Sequence, residues 1–478
     1  MRKYLGFGFK IVILAFKNNF CWQFINEDEN CLITKRIVGM FIKKTILKPF
    51  KIWQRLKENL VQNFQYLDKI NLKKLSNEEL ILEYLNFMKN FVEEWTIPLV
   101  MEGTGIYTEK TIFPEFKKEL SKLNRQTISE YFTVLTQPEK LSFISRERLS
   151  FLGLCLLVQA NKKKLKLLNE KVKISKIKIL SPFFYNKLLF HQKNFYWVKT
   201  NYFNTEPTLI SKFFALLKEE IKNKTEKEIQ EECQSLKDYT KDILKRKKEI
   251  LRKIKISFQL RKKIEALSFF SLCFDERKEM ALRGSYYAVK LLKELASRVG
   301  MNYLILDYAL PGEMAKIISE GREKWFKILT QRQRKFVFVY RHKAKPQIYV
   351  GKATEDLWKI LFEEEKTKVK MIEGITASRG GENYVEGKVR IVLDPFKDPF
   401  QRGEVLVTTM TRPDFLLLVQ KAKAVVTDEG GMTCHAAIIC RELNVPCIVG
   451  TRKATKVLEN GDQIVLRLNH GRVEKIDL

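Results

Sequence analysis

The chain has 478 residues, 45% hydrophobic and 30% charged, which excludes a disordered or membrane-embedded protein and leaves room for about two to four domains with real cores. Its formal charge of +32 sits almost wholly in residues 1–373, where 73 Lys and Arg face 43 Asp and Glu; the last 105 residues hold 15 against 13. Such a field attracts polyanions and phosphorylated ligands, or it is the solvated face of helices in a Lys-rich composition; no nucleic-acid-reading module accompanies it, so no specific nucleic-acid partner is expected.

In chain order, residues 1–50 form a basic and apolar N-terminal segment. Its apolar run, residues 11–16, is bracketed by Lys10 and Lys17 and followed by no small-x-small cleavage site. It is too short to cross a bilayer, which needs about 20 apolar residues, and reads as a packed or interfacial segment. Residues 76–97 open with Ser76 and Glu79 at the spacing of a capping box and predict a helix to about Trp95. Residues 207–232 and 234–272 carry apolar positions three and four apart among dense Lys and Glu, predicting long amphipathic helices, arranged as an antiparallel hairpin. A further helix is predicted over 275–298. Between Phe336 and Gly351, two β-rich runs around Lys345-Pro346 predict a small hairpin.

Glycine divides the chain at the same place as charge. Eleven of the 21 glycines lie in residues 1–373 and ten in the rest. Helical bundles manage with few glycines; turn-rich α/β domains do not. The expected fold class is therefore a mostly helical N-terminal region followed by a compact α/β domain. The expected boundaries are 1–50, 51–371 with the hairpin near 336–351, and 372–478.

The eight cysteines form no C-x-x-C pair, and the chain has only four histidines, so no metal site is expected. Scattered single thiols fit a reducing cytoplasm.

After Gly374 the pattern predicts strands at Lys388–Leu393, Val405–Val407, Ala424–Val426, Cys447–Val449 and Gln463–Arg467, with another at Arg472-Val473. Helices are predicted from Pro413-Asp414 toward Lys421 and near 434–443. The stretch from Val426 to Pro446 holds the chemistry. A buried strand ends at Thr427-Asp428, Gly430 and Gly431 permit a tight turn, and Thr433 can cap a helix that carries His435 in its first turn. Free backbone N–H groups and the helix dipole at that position favour an anion, so a phosphoryl group on His435 would be stabilised. The same field keeps the imidazole neutral and nucleophilic. Ala436 and Ala437 leave space for a donor, Arg441 is a candidate phosphate contact or a surface ion-pair partner, and Asn444 is a left-handed helix end. His191, His342 and His470 lack such a setting and read as packing or turn residues.

This stretch resembles the phosphohistidine motif of the phosphoenolpyruvate-utilising enzymes, the family of phosphoenolpyruvate synthase and pyruvate phosphate dikinase. The matching residues are Gly430, Gly431, Thr433, Cys434, His435, Ala436, Ala437, Arg441, Glu442, Leu443 and Pro446, and the resemblance covers about 372–478. Departures are Arg379 in place of Pro, Arg412 in place of an acidic or small residue, and Asn444 in place of Gly. The resemblance implies a swivelling β/β/α domain with His435 as phosphoryl carrier. It implies supporting roles for Asp428, Gly430, Gly431, Thr433 and Arg441.

In the family an ATP-grasp domain supplies the phosphate and a barrel takes it to pyruvate. Neither is legible here, whereas the helical region is similar to the acceptor-side region of rifampicin phosphotransferase-like members. The resemblance therefore implies a phosphotransferase component with no cofactor bound by this chain. ATP with Mg, or phosphoenolpyruvate, would act through a separate ATP-binding, ATP-grasp-like subunit, and a small molecule would be the acceptor. The alternative is a non-catalytic regulatory protein that keeps the domain as an interaction module.

Overall fold

The computed structural model describes residues 2–17, 20–102, 104–160, 174–198, 200, 205–362, 371–395, 397–411, 415–431 and 434–476. The chain divides into two compact units: residues 1–107 with 138–354, and residues 108–137 with 355–478.

The first unit is mainly helical, for reasons that start in the sequence. Ser76 accepts from the Glu79 amide while Glu79 returns a bond to the Ser76 amide, so the capping box starts the helix Asn77–Trp95. Its apolar face (Leu80, Tyr84, Phe87, Phe91) packs against Leu60, Phe64 and Leu67 of the helix Leu47–Lys69, and against Tyr287, Leu291 and Leu295 of the helix Phe258–Arg298. A second core joins Phe143–Gln159, Pro182–Phe195, Ile210–Asn223 and the start of Glu226–Lys253.

The breaks between helices differ from the expected ones. Thr225 with Glu228 forms a second capping box, which separates Ile210–Asn223 from Glu226–Lys253. Ser257 caps a continuous 41-residue helix, Phe258–Arg298, that absorbs the separate helix expected at 275–298. Cap residues override amphipathic periodicity here because they satisfy amides that periodicity leaves unpaired.

The unit also contains a four-stranded antiparallel sheet that the sequence disclosed only in part. Strands β1 (Ile11–Lys17), β2 (Phe20–Phe24), β3 (Lys335–Arg341) and β4 (Gln347–Tyr349) lie in the order β2-β1-β3-β4. The expected hairpin is β3 with β4, and the apolar run at 11–16 is its neighbour, Ile13 opposite Val339. Among the described residues no helix is long and apolar enough to cross a membrane.

The second unit is built on an eight-stranded mixed sheet. Its strands are β5 (Met371–Glu373), β6 (Ile375–Ser378), β7 (Tyr384–Ile391), β8 (Val405–Thr408), β9 (Ala424–Thr427), β10 (Cys447–Val449), β11 (Gln463–Arg467) and β12 (Arg472–Lys475), in the order β5-β12-β11-β7-β8-β9-β10-β6. β7, β8, β9 and β10 run parallel, and the remaining pairings are antiparallel. Every residue of β8, β9 and β10 is buried, as expected for parallel strands covered on both faces. Alternation sorts them: Val405, Val407, Ala424 and Val426 face one core, Leu406, Val425, Cys447 and Val449 the other. β5 and β6 were not foreseen, because short edge strands carry little apolar pattern.

The expected domain boundary at 372 lies inside this unit, which also takes in residues 108–137 from the region read as one helical domain. In that segment the helices Phe113–Glu119 and Arg125–Thr136 bring Phe113 and Phe116 against Phe132.

Candidate functional site

The site forms where parallel strands end. β9 runs out into Asp428, Glu429, Gly430 and Gly431, and the next described element is the helix His435–Glu442. Open parallel sheets place ligands at the carboxyl ends of their strands, where the loops leave the core. Gly430 has φ +113°, and a Cβ there would lie 2.6 Å from Cys434 Sγ, so the turn accepts only glycine at this point.

The helix begins one residue later than a Thr433 cap would place it. Cys434 is the N-cap: its backbone is extended (φ −72°, ψ 165°) and its Sγ accepts from the Ala437 amide at 3.4 Å. Thr433 itself lies outside the described residues, as do Arg412, Pro413 and Asp414. His435 is thus the first helical residue. Ala436, Ala437 and Cys440 are buried against the sheet, which turns the half-buried His435 ring toward the strand ends. At the other end Asn444 adopts φ +54° and the Val445 amide donates to Cys440 O at 2.8 Å, closing the helix as the sequence predicts.

A threonine engages one nitrogen of the imidazole. Thr411 Oγ1, three residues beyond β8 and buried, lies 2.9 Å from His435 Nδ1. Thr411 lies just ahead of the helix predicted from Pro413-Asp414, and nothing in its local sequence says which side chain it meets.

The other expected residues separate. Asp428 is buried, and burial raises its carboxyl above the ordinary range, against the lowering pull of its hydrogen bonds. It accepts from Thr451 Oγ1 at 3.2 Å, from the Thr455 amide at 3.0 Å and from the Thr455 hydroxyl. These bonds tie the end of β9 to the loop after β10. Arg441 donates from Nε to Ala377 O at 2.7 Å and so clamps the His435 helix to β6. Gly430, Gly431, Thr411 and His435 come together, while Asp428 and Arg441 make bonds that brace the domain around them. The three remaining histidines lie elsewhere: His191 is buried beside Ser150 and Glu147, His342 follows β3, and His470 is in the turn between β11 and β12. Among the described residues no cluster of His, Cys, Asp and Glu has metal-ligand geometry.

Residues 400–471 match the family model described as "PEP-utilising enzyme, mobile domain". Residues 400–471 are thus a mobile domain of the PEP-utilising enzyme type. The matched segment runs from the approach to β8 through the His435 helix to the turn before β12, so the mobile domain contains the whole strand-end site. The probable phosphoenolpyruvate synthase of Methanothermobacter thermautotrophicus is 39% identical over 136 residues, 28% of this chain and 19% of that protein. The phosphoenolpyruvate synthase of Deinococcus radiodurans is 34% identical over 187 residues, 34% of this chain and 24% of that protein. This chain spans about a quarter or less of the length of these synthases. A solved structure, the holo-form of Thermococcus kodakaraensis aconitase X, aligns with 22% of this chain and 98% of the matched one, at 17% identity and a TM-score of 0.19.

Proposed function

We infer that the mobile domain carries a phosphoryl group on His435 between a donor bound by another chain and an acceptor. The observation that carries this is the ring's position: first residue of a helix, at the strand ends, with Nδ1 engaged by Thr411. With the proton on Nδ1 and donated to Thr411 Oγ1, the lone pair is on Nε2. Nε2 attacks phosphorus of the donor, ATP or phosphoenolpyruvate; the P–N bond forms as the P–O bond to nucleotide or enolate breaks, and the departing oxygen takes the electron pair. In the second half an acceptor oxygen attacks phosphorus, the P–N bond breaks and its electrons return to Nε2. Amides in the first helical turn and the partial positive charge there favour the bound phosphoryl.

Gly430 and Gly431 shape the approach to His435, Thr433 has a supporting role in this reading, and Asp428 and Arg441 hold the turn and the helix in place. Mg-ATP would be bound by a separate ATP-grasp-like chain, and the helical unit would bind the small-molecule acceptor.

The test is intact-protein mass spectrometry after incubation with phosphoenolpyruvate, or with ATP and Mg plus a candidate ATP-binding partner. A gain of one phosphoryl group, acid-labile and alkali-stable and absent from His435→Asn, is expected. A folded chain that takes no label from any such donor would favour the non-catalytic interaction module instead.

A further inference from the structure

A carboxylate from another part of the chain lies against the turn ahead of His435. Residues Thr108–Ile112 form a single π-helical turn, a rare conformation that gathers at functional positions. This turn belongs to the same compact unit as the mobile domain. The Oε1 atom of Glu109 lies 2.7 Å from where a Cβ on Gly431 would be, and 4.0 Å from the corresponding point on Gly450. Gly431 sits at the end of the strand β9 loop, and Gly450 directly follows β10. A Cβ on Gly450 would in turn meet Gly430 O at 2.7 Å. Three glycines from two neighbouring strand ends thus leave a bare-backbone hollow, and a carboxylate oxygen fills the space that side chains would otherwise take. Gly431 does not have a positive φ, so the Glu109 carboxylate, not backbone strain, is what a side chain there would meet.

We propose that Glu109 is an autoinhibitory occupant of this hollow, and that phosphoryl loading of His435 requires its carboxylate to withdraw. The inference rests on His435 being the phosphoryl carrier. A carboxylate and a phosphoryl group share negative charge and oxygen acceptors, so a carboxylate held over Gly431, four residues ahead of His435, opposes a phosphoryl group brought to that residue. An incoming phosphate donor also meets the repulsion of the resident charge, in a site where water screens it only in part. The segment 108–137 therefore acts as a plug whose removal, by a partner or by acceptor binding, would license transfer.

Potassium phosphoramidate, a small donor that phosphorylates imidazole without a partner protein, tests the plug on the full chain. Label at His435 is read by peptide mass spectrometry against label at the exposed His470 in the same molecule. Glu109→Gln and Glu109→Ala should each raise the His435-to-His470 ratio by roughly tenfold at low salt, and the gain should shrink as ionic strength rises. Glu109→Asp, which keeps the charge, should stay nearer the parent. Equal ratios in parent and variants, or a fall in variants that melt like the parent, would overturn the plug while leaving His435 as carrier. Label at His470 with none at His435 in any variant would overturn the carrier role and the plug together.

Discussion

Thr411 Oγ1 and His435 Nδ1 lie 2.9 Å apart, so one of the two ring nitrogens faces a hydroxyl. This contact joins the loop after β8 to the first residue of the helix after β9. A threonine hydroxyl can donate or accept, so it tolerates either tautomer; in the proposed transfer it accepts from Nδ1–H, and Nε2 is the attacking nitrogen.

Replacing Thr411 should therefore change regiochemistry as well as rate. Thr411→Val should slow phosphorylation by about two- to tenfold, the worth of one hydrogen bond, and release part of the label to Nδ1. Thr411→Ser should retain Nε2 label. Phosphorus NMR of the denatured phosphoprotein distinguishes the two isomers; label confined to Nε2 in Thr411→Val would remove the positioning role.

His435→Asn should abolish label with little change in melting, because the ring is half-buried and the packing of the helix comes from Ala436, Ala437 and Cys440. Calorimetry on the same preparation checks this. A large fall in melting temperature would mean that the ring serves the fold.

Gly430→Ala should destabilise the mobile domain by about 1–3 kcal/mol, since alanine must adopt φ +113° and its Cβ would crowd Cys434 Sγ. Urea unfolding followed by a probe in the second unit measures it. An unchanged midpoint would show that the turn relaxes freely.

The helical unit should lose stability as pH rises. Glu94 is fully buried with its Oε1 accepting from Trp53 Nε1 at 2.6 Å. Burial pushes its carboxyl up from 4.5 to about 7, outweighing the lowering by Trp53, Arg277 and Lys57, and Glu276 adds to the rise. Asp275 is raised in the same way, to about 6. Between the unfolded and folded values the native state keeps a proton that the unfolded chain has released. Stability is therefore highest below about pH 4.5 for this group and falls as pH climbs to about 7, by at most roughly 1.4 kcal/mol per pH unit. Glu94→Gln, which keeps an oxygen for Trp53, should flatten the fall between pH 5 and 7 in urea titrations. An unaltered slope would assign the dependence to other groups.

Local chemistry in the sequence determined the elements that hold the candidate site. Gly430-Gly431, the small residues after His435 and Asn444 at the helix end each state a backbone requirement that neighbours a few residues away already impose. Alternating and continuous apolar runs likewise marked β8, β9 and β10, because a strand buried on both faces needs them. Ser76 and Glu79 announced their helix for the same reason. Tertiary structure alone decided what no local pattern encodes, namely which distant group each side chain meets. The apolar run at 11–16 lies in a strand whose partners are the nearby β2 and β3, the latter more than 300 residues later. Asp428 looked poised for phosphate, yet its carboxylate is taken by Thr451 and Thr455. Glu109 carries no signal in its own segment and reaches Gly431 through the fold. Backbone propensity is set by residues within a turn or two, whereas hydrogen-bond partners and charge neighbours are set by chain topology, and so they became visible only once the chain was folded.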